Sequence, residues 1–318
     1  MSQIKIDIVR QGTPSKRVIS CALFKMKHTY RDFSKYERHF VKFLDQTKKF
    51  QDFEIRVYVD DTTKQKCLEL SKDISNVSIY HFDCPMFRED EGHSGTFGTL
   101  VRFLPLFEKD LDIVWISDID VPDSYLHKDF VDGLIHTKAA AFIHSYACYS
   151  RKPWANVEYP ILGGSFLSRT MFPKQLLTRF LNNVKQGEYD SMIHKINEYN
   201  LNKPAEDMFP YGMDEYFMNT EVYNSIARQK LTCLVYVDYS FDNILRRGAS
   251  DLSEHESKML VEYYARPSPA LFKKVKEIFD THGPSMITRY PCILDYFKHR
   301  AEFTTDFIKI FKTTLVSH

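Results

Sequence analysis

The sequence has no apolar run approaching the ~20 residues that span a bilayer, so a transmembrane segment is not expected. Its opening, Met1 to Lys16, lacks the apolar stretch of a secretory signal. Excess charge is also missing. Forty-three Lys and Arg face 42 Asp and Glu, a net +1, which leaves no large electrostatic term to draw the chain onto nucleic acid. The six cysteines, Cys21, Cys67, Cys84, Cys148, Cys233 and Cys292, form no Cys-x-x-Cys pair, which argues against a structural zinc site. Several lie inside apolar runs, as small buried hydrophobes do in a reducing compartment, so a cytoplasmic chain is expected. There is no internal repeat and no low-complexity linker.

What the sequence does have is a globular composition, with 43% hydrophobic and 27% charged residues over 318 positions. Aromatics are heavy at 14%, which suits an aromatic-rich core and also stacking on rings or sugars. Four short apolar, mostly β-branched runs read as buried strands: Val18–Leu23, Ile55–Val59, Val77–Phe82 and Ile113–Ser117. Helical patterns over Asp32–Phe50 and Thr63–Lys72 separate the first three. That alternation predicts an α/β fold, a mostly parallel sheet flanked by helices, with ligands at the carboxyl ends of its strands. Further strands are expected at Ala140–Ile143, Ile161–Leu167 and Leu231–Val237, and helices at Met171–Lys185 and Met192–Tyr199. From Ser253 the chain reads as helical through Tyr264 and again over Leu271–Phe279. This divides it into a main domain, 1–252, and a helical C-terminal extension, 253–318, packed on it. Phe307–Lys312 reads as part of a packed terminal helix or as an amphipathic surface anchor.

The segment most informative about chemistry is Asp112-Ile-Val-Trp-Ile-Ser-Asp-Ile-Asp-Val121, a strand running straight into Asp118-Ile-Asp120. In an extended chain, residues i and i+2 point to one side. Two carboxylates converging there are costly unless a cation lies between them, and hard divalent ions prefer such oxygens. Asp118 and Asp120 are therefore candidate ligands of Mn²⁺ or Mg²⁺, although a solvated strand end or an Asx turn has the same pattern. Arg102 is the one basic residue in the apolar run Gly95–Leu106. It either forks onto a phosphate or sugar hydroxyl pair, or snorkels from a helix. The pair Gly163-Gly164 permits close ligand approach or a tight turn. Asp214 and Glu215 stand before an apolar helical start, where acids also serve the helix dipole. Asp238, closing a late strand, and His282 could each complete a metal site.

In order along the chain, these segments resemble nucleotide-sugar-dependent glycosyltransferases of the GT-A fold. The nearest pattern is that of glycosyltransferase-like proteins of bacteria and large DNA viruses, and more remotely that of the retaining glycogenin type. The resemblance rests on Leu23–Tyr36, Tyr58-Val-Asp-Asp61, Arg102–Leu106, the Asp-x-Asp strand, Ile161–Gly164 and Tyr211–Met218. It implies a Rossmann-like GT-A sheet. It further implies that Asp118 and Asp120 bind Mn²⁺ or Mg²⁺ and the donor diphosphate. Leu23, Phe24, Tyr30 and Asp60 would line the nucleoside pocket, and Arg102 would contact the donor sugar. Gly163 and Gly164 would form the floor beneath it, and Asp214 would stand by the anomeric carbon, with Glu215 beside it. The partners would be a nucleotide-sugar donor, a uridine one by default, and a glycan, protein or small-molecule hydroxyl acceptor. Late in the chain, Asp238 and His282 remain alternatives for the third metal ligand, and His282-Gly283 lacks the His-x-x-Gly-x-x-Lys spacing of the glycogenin type. A second pattern is shared with haloacid-dehalogenase-like phosphohydrolases, in which the first Asp of an Asp-x-Asp is a nucleophile. Here the motif lies far from the start, and Pro122 stands where Thr or Val is expected. A non-catalytic nucleotide-sugar or glycan-binding module on the same fold is the third reading.

Overall fold

The computed structural model describes residues 4–26, 33–120, 126–136, 139–146, 161–199, 208–238 and 253–265, with parts of 268–278. Its centre is one eight-stranded mixed sheet in the order β1-β4-β3-β2-β7-β9-β8-β10. The parallel core is formed by β2 (Arg17–Leu23), β3 (Glu54–Val59), β4 (Val77–Asp83) and β7 (Ile113–Ser117). Every residue of β3 and β7 is buried, as expected of strands covered on both faces. Numbered among themselves, these four strands run 3-2-1-4 across the sheet. The chain winds outward from β2 to β4 and then returns to place β7 on the other side of β2. Strand order thus reverses between β2 and β7, and the crevice beyond their carboxyl ends is where such sheets bind ligands.

On one face lie α1 (Phe33–Thr47) and α2 (Lys64–Ser71), the first burying Phe40, Phe43 and Leu44 at helical spacing. Trp115 of β7 is fully buried on this face, edge-on to Phe50 at 5.3 Å between ring centroids and to Phe53 at 6.3 Å. On the opposite face lies the short α3 (Phe97–Val101), against β2 and β3, followed by a 3₁₀ turn at Leu104–Phe107. The Ser20 hydroxyl donates to the Arg102 carbonyl at 2.6 Å, which fixes the end of α3 over β2.

Beyond β7 the sheet turns antiparallel at β9 (Ser165–Ser168) and β8 (Ala141–Tyr146), and β10 (Cys233–Asp238) pairs in parallel with β8 at the edge. The run Ile161–Leu167 is therefore a strand only from Ser165. Ile161 to Gly164 form an irregular turn, and both backbone groups of Ile161 bond the Asn219 side chain. The opposite edge is β1 (Lys5–Arg10), antiparallel to β4, with a bulge between Ile8 and Arg10. Arg10 reaches over to the end of α2, donating to the Ile74 carbonyl at 2.8 Å and the Ser71 hydroxyl at 2.9 Å. A cation at a helix C-terminus is favoured by the exposed carbonyls there.

The remaining helices are α4 (Lys128–His136), α5 (Gln175–Lys185), α6 (Asp190–Tyr199), α7 (Met213–Phe217), α8 (Tyr223–Arg228) and α9 (Glu254–Ala265). Between α7 and α8 the chain makes one wide π turn, Met218–Val222. No helix among the described residues is long and apolar enough to cross a membrane. The C-terminal extension is helical at α9 and in short pieces to residue 278. Phe307–Lys312 lies outside the described residues.

Candidate functional site

Asp118 follows β7 at the switch point between β2 and β7. Arg102, at the end of α3, is buried and forks between two acids. Its Nη1 donates to Asp118 Oδ1, and its Nη2 donates to Asp214 Oδ2 at 2.8 Å. Asp214 lies in the first turn of α7, and its other oxygen accepts the Glu215 backbone N–H at 2.9 Å. Gly212, at φ 100°, lets the chain enter α7 at this angle, a conformation closed to most side chains. The three charged residues come from three separate segments and meet in one buried cluster.

Electrostatics follow from that burial. Burial works against the guanidinium charge of Arg102, but Asp118 and Asp214 beside it more than compensate, and its pKa moves further up. Burial raises the Asp214 carboxyl above the ordinary carboxylate value, Arg102 pulls it down, and Asp118 adds to the rise. The net shift of Asp214 is upward because burial outweighs the pull of Arg102.

Gly163 lies directly against this cluster. A Cβ there would stand 3.2 Å from Asp214 Oδ2 and 3.3 Å from Arg102 Nη2, so any side chain here would have to displace them by a few tenths of an ångström. The Gly164 carbonyl accepts the Asp118 backbone N–H at 2.9 Å, tying the glycine turn to the Asp-x-Asp turn. Asn219, in the π turn, holds the same segment from behind. It accepts from the Ile161 N–H and donates to the Ile161 carbonyl, both at 2.9 Å, and donates to the Glu215 carbonyl at 2.8 Å. The resemblance stopped at Met218, and sequence reasoning gave Asn219 no task. An amide a little over one turn beyond Asp214, in an apolar helical pattern, was the available signal.

Asp120 is placed differently. The chain bends at Ile119 and Asp120 rather than staying extended, so strand alternation does not set where the two carboxylates point. The Asp120 carbonyl accepts a hydrogen bond from His39 Nδ1 of α1 at 2.6 Å. Residues 118–120 thus pass over the end of the sheet, from the α3 face to the α1 face. Asp120 still contributes to the field at Arg102.

The expected nucleoside-pocket residues cluster at the ends of β2 and β3. Leu23 is buried, and its carbonyl accepts the Thr63 hydroxyl at 2.5 Å. Phe24 packs so tightly on Gly98 that a Cβ at Gly98 would meet its ring at 2.4 Å. Asp60 is buried and caps the turn after β3 through the Thr62 N–H at 3.1 Å and the Thr62 hydroxyl, with His93 Nδ1 3.5 Å from its other oxygen. His93 went unnoticed in the sequence, where it is an isolated histidine. Tyr30 and His282 lie outside the described residues, and Asp238 is placed at the end of β10 by its backbone alone.

A divalent cation can be tested against these groups. Among the described residues, no set of three or more His, Cys, Asp or Glu could hold a metal ion. A closed structural site is therefore absent among them. Mg²⁺-type ions, however, use one or two carboxylates and take the rest of their oxygens from substrate phosphates and water. Asp118 Oδ2 makes no hydrogen bond among the described residues, and Asp120 is on the same turn. Two acids on one turn are as many as that sparse kind of site needs.

No protein-family model matches the chain, and no curated protein matches it. Among solved structures, 4-diphosphocytidyl-2C-methyl-D-erythritol synthase from Anaerococcus prevotii is similar over 74% of this chain and 97% of its own, at 12% identity and a TM-score of 0.32. A likeness at that level carries no functional argument.

Proposed function

We propose that the chain is a metal-dependent glycosyltransferase, moving a sugar from a nucleoside-diphosphate donor, by default a uridine one, to a hydroxyl acceptor with retention. The observation that supports this best is the meeting of Arg102, Asp118, Gly163 and Asp214 at the switch point of the sheet. Glycosyl transfer passes through an oxocarbenium-like state while negative charge builds on the leaving diphosphate. The reaction needs preset positive charge near the leaving group and a carboxylate near the sugar.

Arg102 supplies a fixed guanidinium that is already desolvated, so it loses little by reorganising during reaction. Asp118 and Asp214 hold it in plane. Gly163 lets the backbone pack directly against Asp214 and Arg102, and the Asp214 carboxylate would orient donor or acceptor hydroxyls, with Glu215 next to it. Asp118 and Asp120 would hold Mn²⁺ or Mg²⁺, which when bound offsets charge on the diphosphate oxygens. In retaining transfer the acceptor oxygen forms its bond to the anomeric carbon on the face the diphosphate leaves. The departing phosphate oxygen takes the acceptor proton. Leu23, Phe24 and Asp60, at the ends of neighbouring strands, would line the base and ribose end. The acceptor is a glycan, a protein or a small molecule bearing a hydroxyl.

The test is release of nucleoside diphosphate from a panel of nucleotide sugars, with Mn²⁺ and with EDTA, for the parent and for Asp118→Asn. Metal-dependent release that falls at least about a hundredfold in the variant is expected, the range seen on removing one preorganised charge-stabilising group. Full activity in Asp118→Asn would overturn the site. Phosphate release from simple phosphoesters would point instead to the phosphohydrolase. Metal-dependent binding without turnover would point to a binding module.

A further inference from the structure

Helix α1 carries a second feature that the Arg102 cluster does not use. Lys35, Arg38, His39 and Lys42 recur at i, i+3, i+4 and i+7, so they share one side of the helix. With Tyr36 and Asp120 they line a cleft of about 480 Å³. Cations spaced this way repel one another unless something negative answers them. The acids of α1 are engaged elsewhere, Glu37 with Lys66 at 2.9 Å and Asp45 with Lys48 at 2.8 Å. No carboxylate among the described residues forms an ion pair with Lys35, Arg38 or Lys42. Because the Asp120 carbonyl can only accept, His39 must present Nδ1–H to it, which turns Nε2 away from that bond. The cleft is therefore walled by three cationic side chains and an oriented imidazole, and it opens beside the Asp118–Asp120 turn.

Its position suggests what it serves. Arg102 and Asp214 lie on the α3 face of the sheet, and α1 lies on the other. The Asp118–Asp120 turn passes between the two faces, so a group in the cleft and a group at Arg102 can both reach that turn.

We propose that this cleft is a phosphate-binding site, and that it receives the phosphate of a phosphorylated acceptor. The second half rests on the glycosyltransferase reading, while phosphate binding itself does not. Guanidinium and ammonium groups on one helix face match the oxygens of a phosphate, with Arg38 able to contact two of them at once.

The experiment is calorimetric titration of the full chain with inorganic pyrophosphate at low salt and at ~0.15 M salt, where exposed charges are screened beyond about 8 Å. Saturable binding that weakens with salt is expected. Arg38→Glu combined with Lys42→Glu should weaken it about tenfold, since two exposed contacts are each worth a few-fold. Lys109→Glu, an exposed charge change away from the cleft, should leave it unchanged. Equal losses in the cleft and control variants, or no saturable binding by the parent, would overturn the site. Melting temperatures of all variants separate lost binding from lost folding. Repeating the titration with saturating uridine diphosphate identifies the bearer. Pyrophosphate that still binds supports a separate phosphorylated acceptor, and exclusion overturns that assignment in favour of the donor's own diphosphate. Pyrophosphate binding in a chain that responds to no nucleotide would sink the glycosyltransferase reading and leave the phosphate site standing.

Discussion

Asn219→Leu removes a side chain of similar size whose whole role is hydrogen bonding. The amide makes three bonds: one accepted from the Ile161 N–H, and one donated to each of the Ile161 and Glu215 carbonyls. Asn219 is buried, so water cannot replace the lost partners. Each stranded backbone group costs about 1–3 kcal/mol, and two of the three belong to a turn with no ladder to fall back on. Leucine recovers part of this through apolar burial, so the net expected loss is about 3 kcal/mol. For a chain of this size that lowers the melting temperature by roughly 4–5 °C. The assay is thermal unfolding by circular dichroism, paired with donor turnover below the transition. Turnover should fall more than stability alone explains, because Gly163 and Gly164 lose their anchor against Asp214 and Asp118. A melting temperature within ~1 °C of the parent would refute the claim that Asn219 holds the glycine turn in place.

Gly163→Ala should cost little stability and much activity. Overpacking by about 1–3 kcal/mol is partly offset by the ~0.4–1 kcal/mol that alanine gains through the unfolded chain. The backbone here is outside the left-handed region, so the methyl acts only by pushing Arg102 and Asp214 apart. Unchanged turnover in a well-folded variant would exclude that contact from function. Asp214→Asn should flatten one part of the stability–pH curve. Between the ordinary carboxylate pKa, about 4, and the raised value of Asp214, the folded chain holds a proton that the unfolded chain has released. Rising pH therefore lowers stability across that window in the parent and not in the variant. Parallel melting curves for the two proteins from pH 4 to 7 would contradict this. Burial raises the thiols of Cys67 and Cys233 to about 12 and pushes Cys21 and Cys84 upward too. Iodoacetamide should therefore leave these four unlabelled in the native chain by peptide mapping, and rapid labelling at any of them would show that its strand or helix opens.

The parallel core was legible because strands covered on both faces must be apolar nearly throughout, and Ile113–Ser117 can hardly be anything else. β1 was not, because only its pairing with β4 makes it a strand. Lys5 and Asp7 are exposed there, and even Ile8 is 54% exposed. Asp118 stood out as an acid ending an apolar run, Arg102 as the one base inside an apolar run, and Asp214 as an acid before an apolar helical start. Their union did not, because Arg102 and Asp214 are 112 residues apart and no local pattern records such a contact. The strand assigned from Ile161 failed at its first four residues for a related reason. Their apolar character suits a strand, but Asn219 has captured both backbone groups of Ile161, the first residue of the run.

The π turn at Met218–Val222 has a consequence for how this region can tolerate insertion and deletion. A π turn holds one residue more than the α-helix around it accommodates. Losing any one residue from 218 to 222 would let α7 and α8 fuse into a regular helix, an improvement by local propensity. It would also rotate everything beyond the cut by about 100° relative to everything before it. Where the residue lost is Met218, Asn219 turns out of phase with Asp214, and the two could no longer address the glycine turn together, one through Arg102 and the other through Ile161. The irregular turn keeps two halves of one helix in phase with a single target. A shortened, better-formed helix here would yield a chain that folds more smoothly and has lost its site.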